Sequence, residues 1–194
     1  MSETIKMKKT LLFIIAAAAL SFCGISKANA QEIFHKGNQT ASVLVGLGVY
    51  NNGIPPIVLS YEYCVADNLI NGNNGSIGVG AEGGYFAIKY GNKTAHSWVH
   101  SGLVGGRASF HYQFVDKLDT YAGLFLGAIL TGGSSSTVVV GDQDVKVKQN
   151  SDVSAAFGWG VHFGARYYFV PNFAINAELG YGFSIANLGV TFRF

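Results

Sequence analysis

The chain has 194 residues, 49% of them hydrophobic and 12% charged, with a formal net charge of +2. That charged fraction is about half the ~25% usual in soluble globular domains, yet the sequence contains no apolar run long enough for a membrane-spanning helix. With 26 Gly and only 3 Pro it is neither collagen-like nor Pro-rich and disordered, which leaves a membrane protein built of strands.

The N-terminus reads as an export signal. Lys6, Lys8 and Lys9 form a basic stretch, and Leu11 to Phe22 form an apolar one broken only by Ser21. Ala28-Asn29-Ala30 then supplies the small residues that signal peptidase requires. Cleavage is expected before Gln31, which makes residues 1–30 a signal peptide with Met1 or Met7 as its start. Residues 31–40 follow as a periplasmic segment, and 41–194 as the folded domain. Cys23 suggests an acylated lipoprotein, but Phe22 before it is larger than the residue such sites carry. The leader holds four Lys and one Glu, so the remainder carries net charge −1. The basic balance of the whole chain is therefore no argument for a nucleic-acid partner. Cys64 alone survives cleavage, which excludes an intramolecular disulfide and a thiolate metal site.

From Ala41 onward the dominant hydrophobic period is two. Strands are expected over 41–50, 57–65, 76–90, 98–114, 120–130, 153–169, 173–183 and 187–194. Eight is an even number, as bacterial single-chain barrels require. The sixth segment is the clearest. Its odd positions include Val153, Phe157, Trp159, Val161, Phe163, Tyr167 and Phe169, while its even positions include Ser154, Gly158, Gly160, His162, Gly164 and Arg166. A greasy aromatic face opposite a small, polar face suits lipid outside and a narrow packed lumen inside.

The connections sort into two classes. Val115 to Asp119 and Val170 to Asn172 read as tight turns, the second with Pro171-Asn172 turn chemistry. Thr131 to Asp152 is long and polar, and its Thr137-Val-Val-Val140 and Val145-Lys-Val-Lys148 can extend two strands as a hairpin. With both termini in the periplasm, the long connection faces outward and offers a place for an extracellular ligand, by strand addition along an exposed edge. Ala66 to Gly75 is long for a periplasmic turn, and Ser184 to Ala186 short for an external loop.

Aromatic residues gather at both strand ends. Tyr61, Tyr63, Phe110, Tyr112, Phe114, Tyr121, Tyr167, Phe169, Phe173, Phe192 and Phe194 fall near the periplasmic side, and Tyr50, Tyr85, Trp98, Phe157, Trp159, Tyr181 and Phe183 near the outer one. Two such belts are expected of a barrel in a bilayer.

Charges are sorted too. Arg107, Arg166 and Arg193 fall on inward faces, as do Glu62, Glu82 and Glu178. These six are the expected lumen charge network, because an Arg facing lipid at mid-depth costs ~2–4 kcal/mol. Cross-strand parity places Arg166 opposite Asn176 or Glu178. A turn centred between Ile185 and Ala186 places Arg193 opposite Glu178, so that Glu178 lies between the two arginines.

Several motifs were weighed for chemistry. Gly78-Val-Gly80-Ala-Glu-Gly83 matches the dinucleotide fingerprint but sits inside one strand with no helix after it, so the match is taken as false. His96-Ser97 and His100-Ser101 lack a nearby acid to orient the His. His111 and His162 fall on inward faces as hydrogen-bonding groups. No catalytic residue, cofactor or metal is expected.

The chain resembles the small bacterial outer-membrane β-barrel proteins of the eight-stranded OmpX/OmpA-like class, over essentially all of residues 31–194. The resemblance is carried by Leu188-Gly-Val-Thr-Phe-Arg-Phe194, which alternates and ends in Phe, and by Asp119-Thr-Tyr-Ala-Gly123, Gly164-Ala-Arg-Tyr-Tyr-Phe169 and Glu178-Leu-Gly-Tyr-Gly182. It implies an all-β, eight-stranded antiparallel transmembrane up-and-down β-barrel in the bacterial outer membrane, in contact with outer-membrane lipids. It also implies that Phe192 and Phe194 form a signal read by the barrel assembly machinery. The expected function is a non-enzymatic structural or adhesion role with a filled lumen, since eight strands enclose a space that side chains fill. The rival readings are a lipid-modifying enzyme and a small channel.

Overall fold

The computed structural model describes residues 33–47, 53–70, 74–91, 95–140, 143–148 and 152–194. The leader expected over 1–30 lies outside them, as do Tyr50 of the outer belt and Gly141-Asp142 of the long connection. Nine strands run through the described residues: β1 (Gln39–Leu47), β2 (Gly53–Ala66), β3 (Ser76–Gly91), β4 (Ala95–Val115), β5 (Leu118–Val140), β6 (Gln143–Lys148), β7 (Ser154–Val170), β8 (Phe173–Tyr181) and β9 (Ala186–Arg193).

Eight of them close into a ring. The order is β4-β3-β2-β1-β9-β8-β7-β5, and β4 pairs back onto β5. All pairings are antiparallel, including β1 with β9, where Thr40 lies opposite Arg193 and Leu47 opposite Ala186. The chain is therefore an eight-stranded antiparallel up-and-down β-barrel. Closure gives each ring strand a neighbour on both sides, the condition for carrying backbone through a medium without water.

Alternation along each strand sorts the side chains. Val43, Val45, Leu59, Val104, Leu124 and Leu126 point outward and are 41–58% exposed. Thr40, Ser42, Ser60, Glu62, Arg107 and Ser109 point inward and are buried. A protein stabilised by excluding water from an apolar core shows the opposite distribution. Outward aromatics collect at both ends: Tyr61, Phe110, Phe169, Phe192 and Phe194 beside the termini, and Tyr85, Phe157, Trp159 and Tyr181 at the other end.

Two expected belt members face inward instead. Tyr121 is buried because β5 keeps its odd residues inward, after a register shift between Gln113 and Val115. Gly164, directly opposite, makes this possible, since a Cβ there would come within 2.2 Å of the Tyr121 ring. Phe183 turns over the barrel mouth because Gly182 takes φ +137° and ends β8 at Tyr181. Its ring then packs edge-on against Phe86 at 4.8 Å.

The two ends of the ring differ. At the end holding the termini, β4 and β5 join through Asp116-Lys117, and β7 and β8 through Pro171-Asn172. The first turn is thus tighter than the expected 115–119, and Asp119 belongs to β5. At the opposite end β5 continues to Val140 and pairs with β6, Val138 opposite Val145, so the hairpin expected within the long connection is present and β5 runs into it without a break. Over this extension β4 also remains paired with β5 as far as Ala95 opposite Val138. At ~3.3 Å per residue, β5 rises roughly 30 Å beyond Thr131, where its pairing with β7 stops. The opposite wall is low where β8 and β9 join through residues 182–185. β2 begins four residues before the expected Ile57; its Pro55-Pro56 sits in a register shift against β3, where missing N–H groups are tolerated.

Replacing Leu126 by Arg puts a charge at the middle of the outward band. The expected loss is ~2–4 kcal/mol if that face meets lipid, read from urea unfolding in lipid vesicles. An unchanged stability means the face lies in water.

Candidate functional site

The interior of the ring concentrates the polar chemistry. β2 supplies Glu62, β3 Glu82, β4 Arg107, Ser109 and His111, β5 Asp119 and Tyr121, β7 His162 and Arg166, and β8 Asn176 and Glu178. All of them are buried. Each stands on a strand whose inward parity fixes its direction, so the cluster is set by register rather than by loops.

Arg107 joins three carboxylates. Its Nη1 donates to Glu82 Oε2 at 2.7 Å and its Nη2 to Glu178 Oε2 at 3.2 Å, while Nε faces Glu62 Oε1 at 3.4 Å. Arg166 sits one layer nearer the termini. Its Nη2 donates to Glu62 Oε2, and its Nη1 approaches Asp119 Oδ2 at 3.5 Å. Glu62 therefore bridges the two guanidiniums.

Neutral groups complete the lattice. Tyr121 lies against both cations, with its ring centroid 4.3 Å from the Arg166 guanidinium carbon and 5.8 Å from that of Arg107. Its hydroxyl reaches Asn176 Oδ1 at 2.9 Å and Glu178 Oε2 at 3.0 Å. Ser109 Oγ donates to Glu62 Oε1 at 2.6 Å, so its contact with His162 Nε2 at 2.9 Å must be accepted from that ring nitrogen. His111 Nδ1 stands 3.0 Å from Asp119 Oδ1, and its Nε2 stands 3.6 Å from Glu62 Oε1. Both ring nitrogens thus face carboxylate oxygens. Four carboxylates stand against two guanidiniums in the cluster.

At the mouth away from the termini, a cavity of about 30 Å³ reaches down to Glu82, His162 and Glu178 beneath Leu103, Phe125 and Phe183. A water molecule needs roughly 10–15 Å³ measured this way, so the cavity admits water to the top of the cluster. Among the described residues, no group of three or more His, Cys, Asp or Glu has the geometry to hold a metal ion.

The expected lumen residues divide. The structure brings Glu62, Glu82, Arg107, Arg166 and Glu178 together. Arg193 is not with them. Glu178 lies opposite Asn187, not Arg193, because β8 and β9 pair with Phe173 opposite Phe192. The β8–β9 turn is thus placed earlier in the sequence than expected, which moves Arg193 to the end of the barrel. There its guanidinium donates to the Ile33 and Pro171 carbonyls and lies 4.9 Å from the Tyr168 ring centroid. Arg166 does lie opposite Asn176, one of its two expected neighbours, but its carboxylate partners are Glu62 and Asp119 rather than Glu178. Phe192 and Phe194 flank Arg193 and point outward.

Alternation also splits His100 from Ser101. His100 lies outward, with Nδ1 2.6 Å from the Tyr85 hydroxyl, while Ser101 lies inward near Thr131. Neighbours in one strand face opposite sides and do not converge on one site. Gly78 to Gly83 lies wholly within β3.

No protein-family model matches the sequence, and neither does any curated protein. Solved structures do resemble it. The N-terminal β-barrel domain of Pseudomonas aeruginosa OprF is 17% identical with a TM-score of 0.48, covering 82% of this chain and 98% of that one. Ail, the attachment invasion locus protein of Yersinia pestis, in complex with the heparin analogue sucrose octasulfate, is 15% identical with a TM-score of 0.48, covering 82% and 99%. Neisserial surface protein A is 18% identical with a TM-score of 0.38, covering 80% and 92%. The β4–β5 pairing decides the architecture without them. The chain is a small eight-stranded β-barrel.

Removing the Glu62 charge as Glu62→Gln leaves both guanidiniums short of a partner. Stability should fall by ~3–5 kcal/mol, as for a broken buried ion pair, in urea unfolding of the refolded barrel. Glu82→Gln should cost less, because that side chain borders the wet cavity and is 10% exposed. Equal losses would mean that burial depth does not govern the network.

Proposed function

We propose that this chain is an integral protein of a bacterial outer membrane that acts without catalysis, as a structural or binding protein. The observation that carries this reading is the inverted sorting of the ring: aliphatic side chains outside, a charge network inside, and outward aromatics at both ends. Lipid is the solvent that such an outer face fits. The interior is crossed by ion pairs and an aromatic ring, which favours a filled lumen over a general diffusion pore.

In this reading the termini and the two tight turns face the periplasm. Residues 1–30 direct export and are removed. Phe192 and Phe194, outward at the end of the closing strand, present the segment that the assembly machinery takes. The tall wall formed by β3, β4, β5 and β6 stands outside the cell. β6 ends the sheet order beyond the ring, so its free edge offers strand pairing to an extracellular ligand at residues 131–152. The probe to try first is sucrose octasulfate, the heparin analogue held in the solved structure of Ail.

An epitope inserted between Val140 and Gln143 should label on intact cells, with the protein in the outer-membrane fraction. A tag that labels only after lysis reverses the orientation, and a protein recovered from the soluble fraction ends the membrane reading. Deleting 135–148 should abolish surface binding of the probe while the barrel still assembles.

A further inference from the structure

The end of the lumen nearest the termini is closed by a segment that belongs to no ring strand. Residues 33–38 precede β1 and cross beneath the cluster. Phe34 is 2% exposed, whereas His35, Lys36 and Gly37 around it are open to solvent. Its ring centroid lies 4.3 Å from that of His111. Gly78 leaves the space for both rings, since a Cβ there would stand 3.0 Å from Phe34 Cε1 and 3.0 Å from His111 Nε2. Above it, the gap bordered by Phe34, Ser76, His111, Gln113 and Asp119 has no room for a water molecule. The opposite mouth, by contrast, has room for water in its 30 Å³ cavity.

The segment is held from three sides, and its last two residues pair with β2, where Cys64 N donates to the Asn38 carbonyl at 2.9 Å. Ile33 N donates to Gln113 Oε1 at 2.7 Å, and Lys36 N to Asp67 Oδ2 at 2.8 Å. Gly37 N donates to the Cys64 carbonyl at 3.1 Å, and Arg193 to the Ile33 carbonyl. The bonds at Ile33 and Lys36 lie outside the strand pairing, whose β1–β2 register begins at Gln39 opposite Tyr63. Behind the Phe34 ring lie His111, Asp119 and Glu62, part of a cluster with more carboxylates than guanidiniums.

We propose that Phe34 is a removable stopper: seated, it keeps water and ions from the lower half of the charge cluster, and withdrawn it opens that half to small cations in preference to anions. The lumen is then a closed cup while the segment is docked, and a path for cations as far as Glu62 and Asp119 when it leaves. Access favours cations because the cluster as a whole sets four carboxylates, Glu62, Glu82, Asp119 and Glu178, against the guanidiniums of Arg107 and Arg166 and the imidazole of His111. The inference rests on the membrane-barrel reading only for naming the closed side as periplasmic.

Cys64 reports on the stopper, because it is fully buried on the inward face of β2, two residues from Glu62, with Sγ 3.7 Å from the Phe34 carbonyl. The refolded full-length barrel is treated with a trimethylammonium-bearing methanethiosulfonate and, separately, with a sulfonate-bearing one. The parent should react slowly with both. Phe34→Ala should react with the cationic reagent about a hundredfold faster, the scale set by a lost buried aromatic ring, and more slowly with the anionic one. Phe34→Leu should restore protection. Heat-modifiable gel migration shows which variants are folded, and Phe34→Leu keeps the test alive should Phe34→Ala not fold. A folded Phe34→Ala barrel that reacts like the parent overturns the stopper; equal rates with the two reagents overturn the cation preference. Failure of the folded parent to enter lipid vesicles overturns the membrane reading instead, and leaves the protection of Cys64 measurable in detergent.

Discussion

The Glu62 carboxylate meets two guanidiniums, a serine hydroxyl and an imidazole at a place that solvent does not reach. An uncompensated ion there costs several kcal/mol, so Glu62, Arg107 and Arg166 are tolerable only as a set. Their strands, β2, β4 and β7, are far apart in sequence and on different sides of the ring. The set forms only if every intervening strand keeps its parity, since a slip of one residue turns a charge to the outer face. The network thus acts as a check on register as well as a cross-brace through the lumen.

The same alternation that collects charge inside leaves an aliphatic band outside, and neither face makes sense without the other. Glycines give the interior its room. Gly164 admits Tyr121 between the two arginines, and Gly78 admits Phe34 beside His111. The wall is uneven in height. β5 and β6 rise on one side, while β8 and β9 turn over early on the other, with Phe183 folded across the mouth. A closed ring with one raised flank separates the braced body of the barrel from the strands that rise beyond it.

Much of this is legible in the sequence, for a definite reason. A period of two fixes which face each residue takes, so the eight strands, the inward set Glu62, Glu82, Arg107, Arg166 and Glu178, and the tight turn at Pro171-Asn172 can be read residue by residue. What parity does not supply is how far one strand slides along its neighbour. The β8–β9 register therefore differs from expectation by an even number of residues: Arg193 keeps its face yet ends beside Ile33 and Pro171 instead of Glu178. Turn boundaries hid Asp119, read as part of a loop although it is a buried partner of His111 and Arg166. Tyr121 was assigned to an aromatic belt because an aromatic near a strand end fits either face. The hairpin above the ring is legible in Thr137-Val-Val-Val140 and Val145-Lys-Val-Lys148, whereas the polar run Ser134-Ser135-Ser136 hides that β5 runs into it without a break. Phe34 carried no signal, lying in a short segment before the first periodic strand.

A double-mutant cycle on Glu62 and Arg166 tests the central claim most directly. Glu62→Gln, Arg166→Met and the double variant are compared with the parent by urea unfolding in lipid vesicles. A coupling of about 2 kcal/mol is expected, within the range of contacting groups in one network. Losses that add to within ~0.3–0.5 kcal/mol, as for independent sites, would contradict a barrel braced through this pair.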